Sequence, residues 1–305
     1  MNPITILGSG AVGMPLAVFL TNAGRSVIAV RTSTRGVGRQ TMTVTVAGGE
    51  STVSAAVETV SLAKLEKLDG MIVITAKAHA NTAIAAELRA RDASGPVVVL
   101  QNGLGVEQPF IESGFSPVYR CVLYVTSQAV SENAYSFRPV TASPIGVARG
   151  DASGLGSCVG QLSTSGFPFR PESDIAREVW KKAIINCVFN SICPLLDADN
   201  GIFVRDPEVK MLAGEVVGEC LAVAERRGIQ LGTDEIMSQI ERISRTSDGQ
   251  LISTLQDIRA GRQTEIAFLN LEIARLAASL QPPVPVPRTE MLGRMIVAKS
   301  VKQAP

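Results

Sequence analysis

The stretch ITILGSGAVGMPLAVFL, residues 4–20, decides the fold of the first half of the chain. Ile4-Thr5-Ile6-Leu7 reads as a short buried strand, Gly8-Ser9-Gly10-Ala11-Val12-Gly13 as a glycine turn, and residues 14–23 as a helix. Gly8, Gly10 and Gly13 have the spacing in which the first glycine allows the tight turn. The second admits a pyrophosphate against the backbone, and the third packs the helix on the sheet. The pattern is weak alone but specific when it sits between a strand and a helix, where the helix N-terminus offers unpaired N–H groups to a phosphate. We therefore read Gly8, Ser9, Gly10, Ala11, Val12 and Gly13 as cofactor-binding positions.

A second apolar run, 27–30, completes the βαβ unit, and the residue after it selects the dinucleotide. A carboxylate there would accept from a ribose 2′-OH and repel a 2′-phosphate. The position holds Arg31, followed by Thr32, Ser33, Thr34 and Arg35. Guanidinium groups suit a phosphate, so this loop predicts NADPH rather than NADH; the competing reading is a solvated basic loop. Lys77, just past the strand at 71–75, offers a further positive charge near the phosphates or is a surface lysine. His79 is read as a capping or packing residue.

Working outward, 43–47 and 54–60 alternate around Gly48-Gly49 as a hairpin, and 71–75 and 97–100 read as buried parallel strands separated by a helix at 80–91. Further strands are expected at 119–126, 128–136 and 143–148. After Phe167-Pro168-Phe169-Arg170-Pro171 the texture turns helical, with helices at 175–196, 207–227, 233–246 and 255–280 and an extended tail at 282–287. The expected architecture is α/β: a Rossmann-type doubly wound domain at 1–170 followed by an all-helical domain at 171–305. A ligand cleft between them is the expected site.

Composition narrows the function classes. The 305 residues leave room for two cores, and 46% hydrophobic against 19% charged residues excludes a disordered chain. Twenty-nine basic against 28 acidic side chains give a net charge of +1, so no global field gathers nucleic acid or anionic lipid. No apolar run approaches the roughly 20 residues of a spanning helix, and no secretory leader is apparent. Five cysteines without a CxxC pair read as reduced packing thiols, Cys187 included, and predict a cytoplasmic protein. A single histidine and no Cys/His cluster predict neither a Ser-His-Asp triad nor a metal site.

A proton donor is then expected among Lys, Glu and Tyr. Residues 183–196, AIINCVFNSICPLL, are apolar on nearly every side, so the helix is expected to be buried almost all round. Its polar exceptions, Lys182, Asn186 and Asn190, stand at i, i+4 and i+8, a stripe about 12 Å long that drifts by only about 40° per step. A positive donor beside two amides in a dry wall is what reduction of a carbonyl requires. The alternative is a structural polar ladder. Gln101-Asn102-Gly103-Leu104-Gly105 follows a buried strand at the carboxyl edge of the sheet, which would turn Asn102 toward a ligand, although Asn-Gly is also a plain turn dipeptide. Ser253 and Glu265 flank the polar segment QDIRAGR, and Glu265 could be no more than a salt-bridge partner of Arg262.

These motifs taken together resemble the ketopantoate reductase (2-dehydropantoate 2-reductase) family over essentially the whole chain: GSGAVG, Arg31, QNGLG at 101–105, WKKAIINCVFN at 180–190 and STLQDIRAGRQTEI at 253–266. The resemblance implies NADPH-dependent reduction of the C2 ketone of 2-dehydropantoate to pantoate, on the route to pantothenate and coenzyme A. It implies Lys182 as the acid, with Asn186, Asn190 and Ser253 holding a small 2-oxo acid. Glu265 would meet the substrate hydroxyl or orient the lysine, and Asn102 would sit between cofactor and substrate. A homodimer is the expected assembly, with no nucleic-acid or membrane partner. Paralogues acting on other branched 2-oxo acids, and a non-catalytic NADP(H)-sensing module, are the alternatives. The chain departs from the family at His79-Ala80, where a glutamine is common, and matches it only loosely over 128–142.

Overall fold

The computed structural model describes residues 3–32, 38–48, 51–65 and 68–302. The chain forms two compact units, Met1–Asn102 with Val106–Ile175, and Gly103–Gly105 with Ala176–Pro305.

The first unit runs β1 (Ile4–Leu7), α1 (Gly13–Asn22), β2 (Val27–Arg31), β3 (Gln40–Gly48), β4 (Ser51–Ser61), β5 (Ile72–Ile74), α2 (Asn81–Ala90), β6 (Val97–Val99), α3 (Gln108–Glu112), β7 (Val118–Cys121), β8 (Val125–Ser131), β9 (Ala134–Pro139), β10 (Ser143–Arg149), α4 (Leu155–Leu162) and β11 (Phe169–Pro171). All strands join one sheet in the order β11-β10-β7-β6-β5-β1-β2-β4-β3-β9-β8. Its central six, from β7 to β4, are parallel. Ranked along the chain they read 6-5-4-1-2-3, the doubly wound order of dinucleotide-binding sheets, which reverses between β1 and β5. Strands such as β5, IVI, and β6, VVV, are buried at every position because helices cover both faces, so apolar β-branched residues occur without alternation. On one face Leu16, Val18 and Leu20 of α1 and Leu155 and Leu162 of α4 pack with Ile6, Ala29, Val73 and Val98. Phe19, Phe137 and Phe167 extend that core, with ring centroids 4.6–5.3 Å apart along the series.

The mixed flanks hold the hairpin expected from the sequence, β3 antiparallel to β4 with Thr43 opposite Ala56. The single strand expected at 119–126 is instead two. β7 lies inside the sheet and β8 at its far edge, so the chain leaves the ladder between them, where the Val122 N–H donates to Pro144 O (3.0 Å) and the Tyr124 N–H to Ser143 Oγ (3.0 Å).

The second unit is helical: α5 (Ile175–Leu196), α6 (Ile202–Arg205), α7 (Pro207–Arg226), α8 (Thr233–Thr246), α9 (Ser253–Arg259), α10 (Asn270–Ser279) and α11 (Pro287–Lys302). Asp206 caps α7 by accepting from the N–H groups of Glu208 (2.9 Å) and Val209 (3.3 Å), with Pro207 at the first helical position. The helix expected over 255–280 is broken. α9 ends in a Schellman motif, Arg262 N–H to Asp257 O at 2.8 Å and Gly261 N–H to Ile258 O at 3.0 Å, with Gly261 at φ 62°. A 3₁₀ turn at Ile266–Phe268 then precedes α10. α11 was not expected from sequence. Its N-terminus is capped by Glu219 of α7, which accepts from the Arg288 (3.1 Å) and Thr289 (2.8 Å) N–H groups. Among the described residues no helix is long and apolar enough to cross a membrane.

Candidate active site

In the first unit the turn between β1 and α1 has little room where the glycine spacing requires none. A Cβ on Gly8 would lie 2.3 Å from Ala76 N, and one on Gly13 would lie 1.9 Å from Gly8 O. Gly8 also sits at φ 120°, a backbone conformation that side chains disfavour. Thr75, at the end of β5, ties the turn down by donating to Gly8 O at 2.7 Å. Nothing lies within 4 Å of the corresponding position on Gly10, whose backbone is exposed. The Ser127 hydroxyl donates to Ala11 O. No side chain caps the start of α1 and its first turn carries no acidic residue, so its N–H groups and partial positive charge suit an anion. Ser9, Ala11 and Val12 complete the turn. These residues fit a dinucleotide pyrophosphate at the point where the strand order reverses.

Arg31 ends β2, half-buried, with Nη2 3.3 Å from Met42 Sδ. Burial pushes the Tyr135 hydroxyl above its ordinary value, and the Arg31 guanidinium pulls it back. The guanidinium thus rests against Met42 of β3. Ser33, Thr34 and Arg35 fall outside the described residues. Lys77 and His79 are exposed on the short turn after β5.

Asn102 is half-buried beyond the end of β6, in a loop whose neighbours are strongly tied. The Gln101 amide pairs reciprocally with that of Asn81, at 2.7 and 2.8 Å. It also donates to Ala76 O, and Asn81 Nδ2 donates to Val106 O at 2.7 Å. Arg120 of β7 is 3% exposed and donates to Val99 O (3.2 Å), Gln101 O and Cys121 O (3.1 Å), with Nε 3.2 Å from the Glu107 carboxylate. Burial draws the Arg120 guanidinium below its ordinary value, opposed by Glu107. Sequence reading passed over Asn81, Thr75, Arg120 and Glu107. A charged residue in the apolar run VYRCVLYV was the available signal, since such a charge must find a partner.

In the second unit α5 is as dry as its composition demands. From 182 to 194 every residue is buried except Lys182 and Asn186, which are half-buried and one turn apart. Asn190, a further turn on, is 3% exposed, and its Oδ1 accepts from Thr254 Oγ1 (2.7 Å) and Ser253 Oγ (3.3 Å). The fold thus brings Asn190 and Ser253 together and adds Thr254, which the sequence did not single out. Ser253 is exposed as the first residue of α9. Glu265 is half-buried and leads into the 3₁₀ turn, with Phe268 N–H on its carbonyl at 2.9 Å. Arg262 pairs with Asp257 (2.8 Å). Gly103, at φ 101°, packs where a Cβ would meet Phe268 Cβ at 2.7 Å, and the Leu104 N–H donates to Phe268 O at 2.8 Å. All five cysteines are buried; burial pushes Cys158 and Cys193 up to about 12, and Cys187 rises well above the usual thiol value. They are packing groups rather than nucleophiles.

Two family profiles match the chain: Ketopantoate reductase PanE/ApbA over residues 4–142 and Ketopantoate reductase PanE/ApbA C terminal over residues 174–300. A 2-dehydropantoate 2-reductase of Archaeoglobus fulgidus is 27% identical over 281 residues, 89% of this chain and 90% of that one. Among solved structures, a dimeric ketopantoate reductase from Staphylococcus aureus superposes with a TM-score of 0.81 at 19% identity, over 99% of both chains. A D-mandelate dehydrogenase with NADH and anilino(oxo)acetate gives 0.83 at 20% identity, again over 99% of both. With both halves of the sequence matched in order and a parallel sheet of the required topology beneath the glycine turn, the chain belongs to the ketopantoate reductase family of oxidoreductases.

Proposed function

We propose that this protein reduces the C2 ketone of 2-dehydropantoate to the alcohol of pantoate with NADPH, a cytoplasmic step toward pantothenate and coenzyme A. The observation that carries the reading is the half-open pair Lys182 and Asn186 on a helix otherwise buried from 182 to 194. Residues 1–170 serve as the cofactor-binding domain and 171–305 as the substrate domain in this reading. Gly8, Ser9, Gly10, Ala11, Val12 and Gly13 hold the pyrophosphate, Arg31 receives the 2′-phosphate, and Lys77 adds positive charge near the phosphates. When bound, the nicotinamide supplies the hydride.

The chain's own groups do the remaining chemistry. The Lys182 ammonium stabilises the negative charge that develops on the ketone oxygen and then delivers its proton there. Asn190, its Oδ1 already taken by Thr254, turns its Nδ2 donors to the substrate carboxylate, joined by Ser253 and its backbone N–H at the start of α9. Asn186 binds substrate one turn from the lysine. Glu265 accepts from the substrate hydroxyl or orients Lys182, and Asn102 stands between cofactor and substrate. We assign the exposed apolar residues of α11, Met291, Met295, Val297 and Val301, to contact with a second copy of the chain, since α11 is apolar on its buried side as well.

The test is NADPH oxidation, followed by its absorbance, against a panel of branched 2-oxo acids including 2-dehydropantoate. Preference for 2-dehydropantoate is expected. Preference for another oxo acid would change the substrate but keep the machinery, whereas cofactor binding without turnover on any of them would leave only a sensing module.

A further inference from the structure

The loop that follows β6 leaves and returns through two side chains that each hold both of its limbs. Arg120 binds the incoming limb at Gln101 O and the outgoing limb at Glu107, 3.2 Å from Nε. Asn81 does the same with neutral groups, pairing with the Gln101 amide on the way in and donating to Val106 O at 2.7 Å on the way out. Only residues 102–105 lie between these anchors. Both clamps are buried, Arg120 at 3% and Asn81 at 1% exposure, so their bonds are not traded for water.

The choice of residue types follows from the position. Parallel strands end with carbonyls pointing past the carboxyl edge of the sheet, and Arg120 gathers three of them, from Val99, Gln101 and Cys121. One end of the guanidinium, Nη1, faces the three carbonyls while Nε lies toward the Glu107 carboxylate as an ion pair, a division that the single charged atom of a lysine cannot make. A buried ion pair contributes little to stability by itself, and fixing one arrangement is its better-attested use. The arrangement fixed here is that of the two limbs, at Gln101 and at Val106 and Glu107, that flank residues 102–105.

We propose that Arg120 and Asn81 are positioning residues that close the 101–107 loop from both limbs and so hold the Asn102 amide where cofactor and substrate meet. The role of Asn102 itself rests on the function proposed above; the double clamp does not. Neither residue touches substrate.

The experiment measures Arg120→Lys and Asn81→Ala, each alone and combined with Asn102→Ala, in the full-length protein. Steady-state kinetics use the 2-oxo acid preferred in the panel, and NADPH affinity is read by fluorescence titration. Each clamp variant is expected to lower kcat roughly 10- to 100-fold, the effect of displacing a catalytic geometry by about an ångström, with NADPH affinity unchanged. In the Asn102→Ala background the same substitutions should lower kcat no further, because they act through that side chain. A fully additive loss, or an unchanged kcat in the single variants, would overturn the proposal. A silent Asn102→Ala would overturn the role of Asn102 and with it the purpose of the clamp. Hydrogen exchange supplies a readout independent of turnover. Amides of 101–107 should exchange faster in both clamp variants while those of β6 do not, and unchanged exchange in the loop would refute the clamp itself. Asn81→Ala alters no charge and serves should Arg120→Lys fail to fold.

Discussion

Replacing Thr254 by valine keeps the volume of a side chain that is 3% exposed and removes only its hydroxyl, which donates to Asn190 Oδ1 at 2.7 Å. The acceptor left behind is buried, so the cost is that of an unsatisfied polar group, about 1–3 kcal/mol. Ser253 Oγ, 3.3 Å from the same oxygen, recovers part of it, which places the net loss at the lower end of that range. For a protein of this size that is a fall in melting temperature of roughly 2–4 °C. The functional consequence is separate. Thr254 holds the Asn190 oxygen; if the amide nitrogen binds the substrate carboxylate as proposed, losing that bond should raise KM for the oxo acid about tenfold, the factor that 1.4 kcal/mol produces. NADPH affinity should not change. Differential scanning fluorimetry and steady-state kinetics on the purified variant give both numbers. A lower melting temperature with KM and kcat both intact would refute the reasoning, because Asn190 would then be a rung of a structural ladder between α5 and α9.

Arg31→Asp should reverse the cofactor preference, lowering the NADPH to NADH ratio of kcat/KM by roughly 10- to 100-fold, as loss of a charge-assisted phosphate bond and gain of a repulsion require; an unchanged ratio would remove Arg31 from the 2′-phosphate site. Burial raises Cys158 and Cys193 to about 12, so their contribution to stability is complete below the unfolded thiol value and is lost as pH rises toward 12. Chemical denaturation at pH 8 and pH 10 should therefore show lower stability at the higher pH, and a thiol reagent at pH 8 should label native protein slowly and all five cysteines after unfolding. Met291→Glu with Met295→Glu should shift a dimer to monomer in light scattering; a monomeric wild type would contradict the assembly assigned to α11.

The glycine turn was readable because a backbone requirement is written directly in residue type: Gly8 and Gly13 stand where any Cβ would strike backbone. The stripe on α5 was readable for the opposite reason, since Lys182 and Asn186 interrupt a stretch, 182–194, that is otherwise buried. Gly261 was equally visible, yet apolar periodicity on either side hid the break it makes in 255–280. α11 and the Arg120 clamp were less legible. The carboxylate that caps α11 comes from Glu219, and Arg120 finds Gln101 and Glu107 only once β6 and β7 lie side by side with Val99 opposite Arg120. The charge within VYRCVLYV marks the need for a partner, but no local pattern says which residue tertiary contact will supply.

The central claim is that the Lys182 ammonium is the proton source. The measurement that tests it most directly is single-turnover reduction of the preferred 2-oxo acid by Lys182→Met protein saturated with NADPH. The account predicts that the variant binds NADPH as the wild type does and transfers hydride roughly 10²- to 10⁴-fold more slowly, the usual contribution of a positioned general acid. Reduction at the wild-type rate would contradict it.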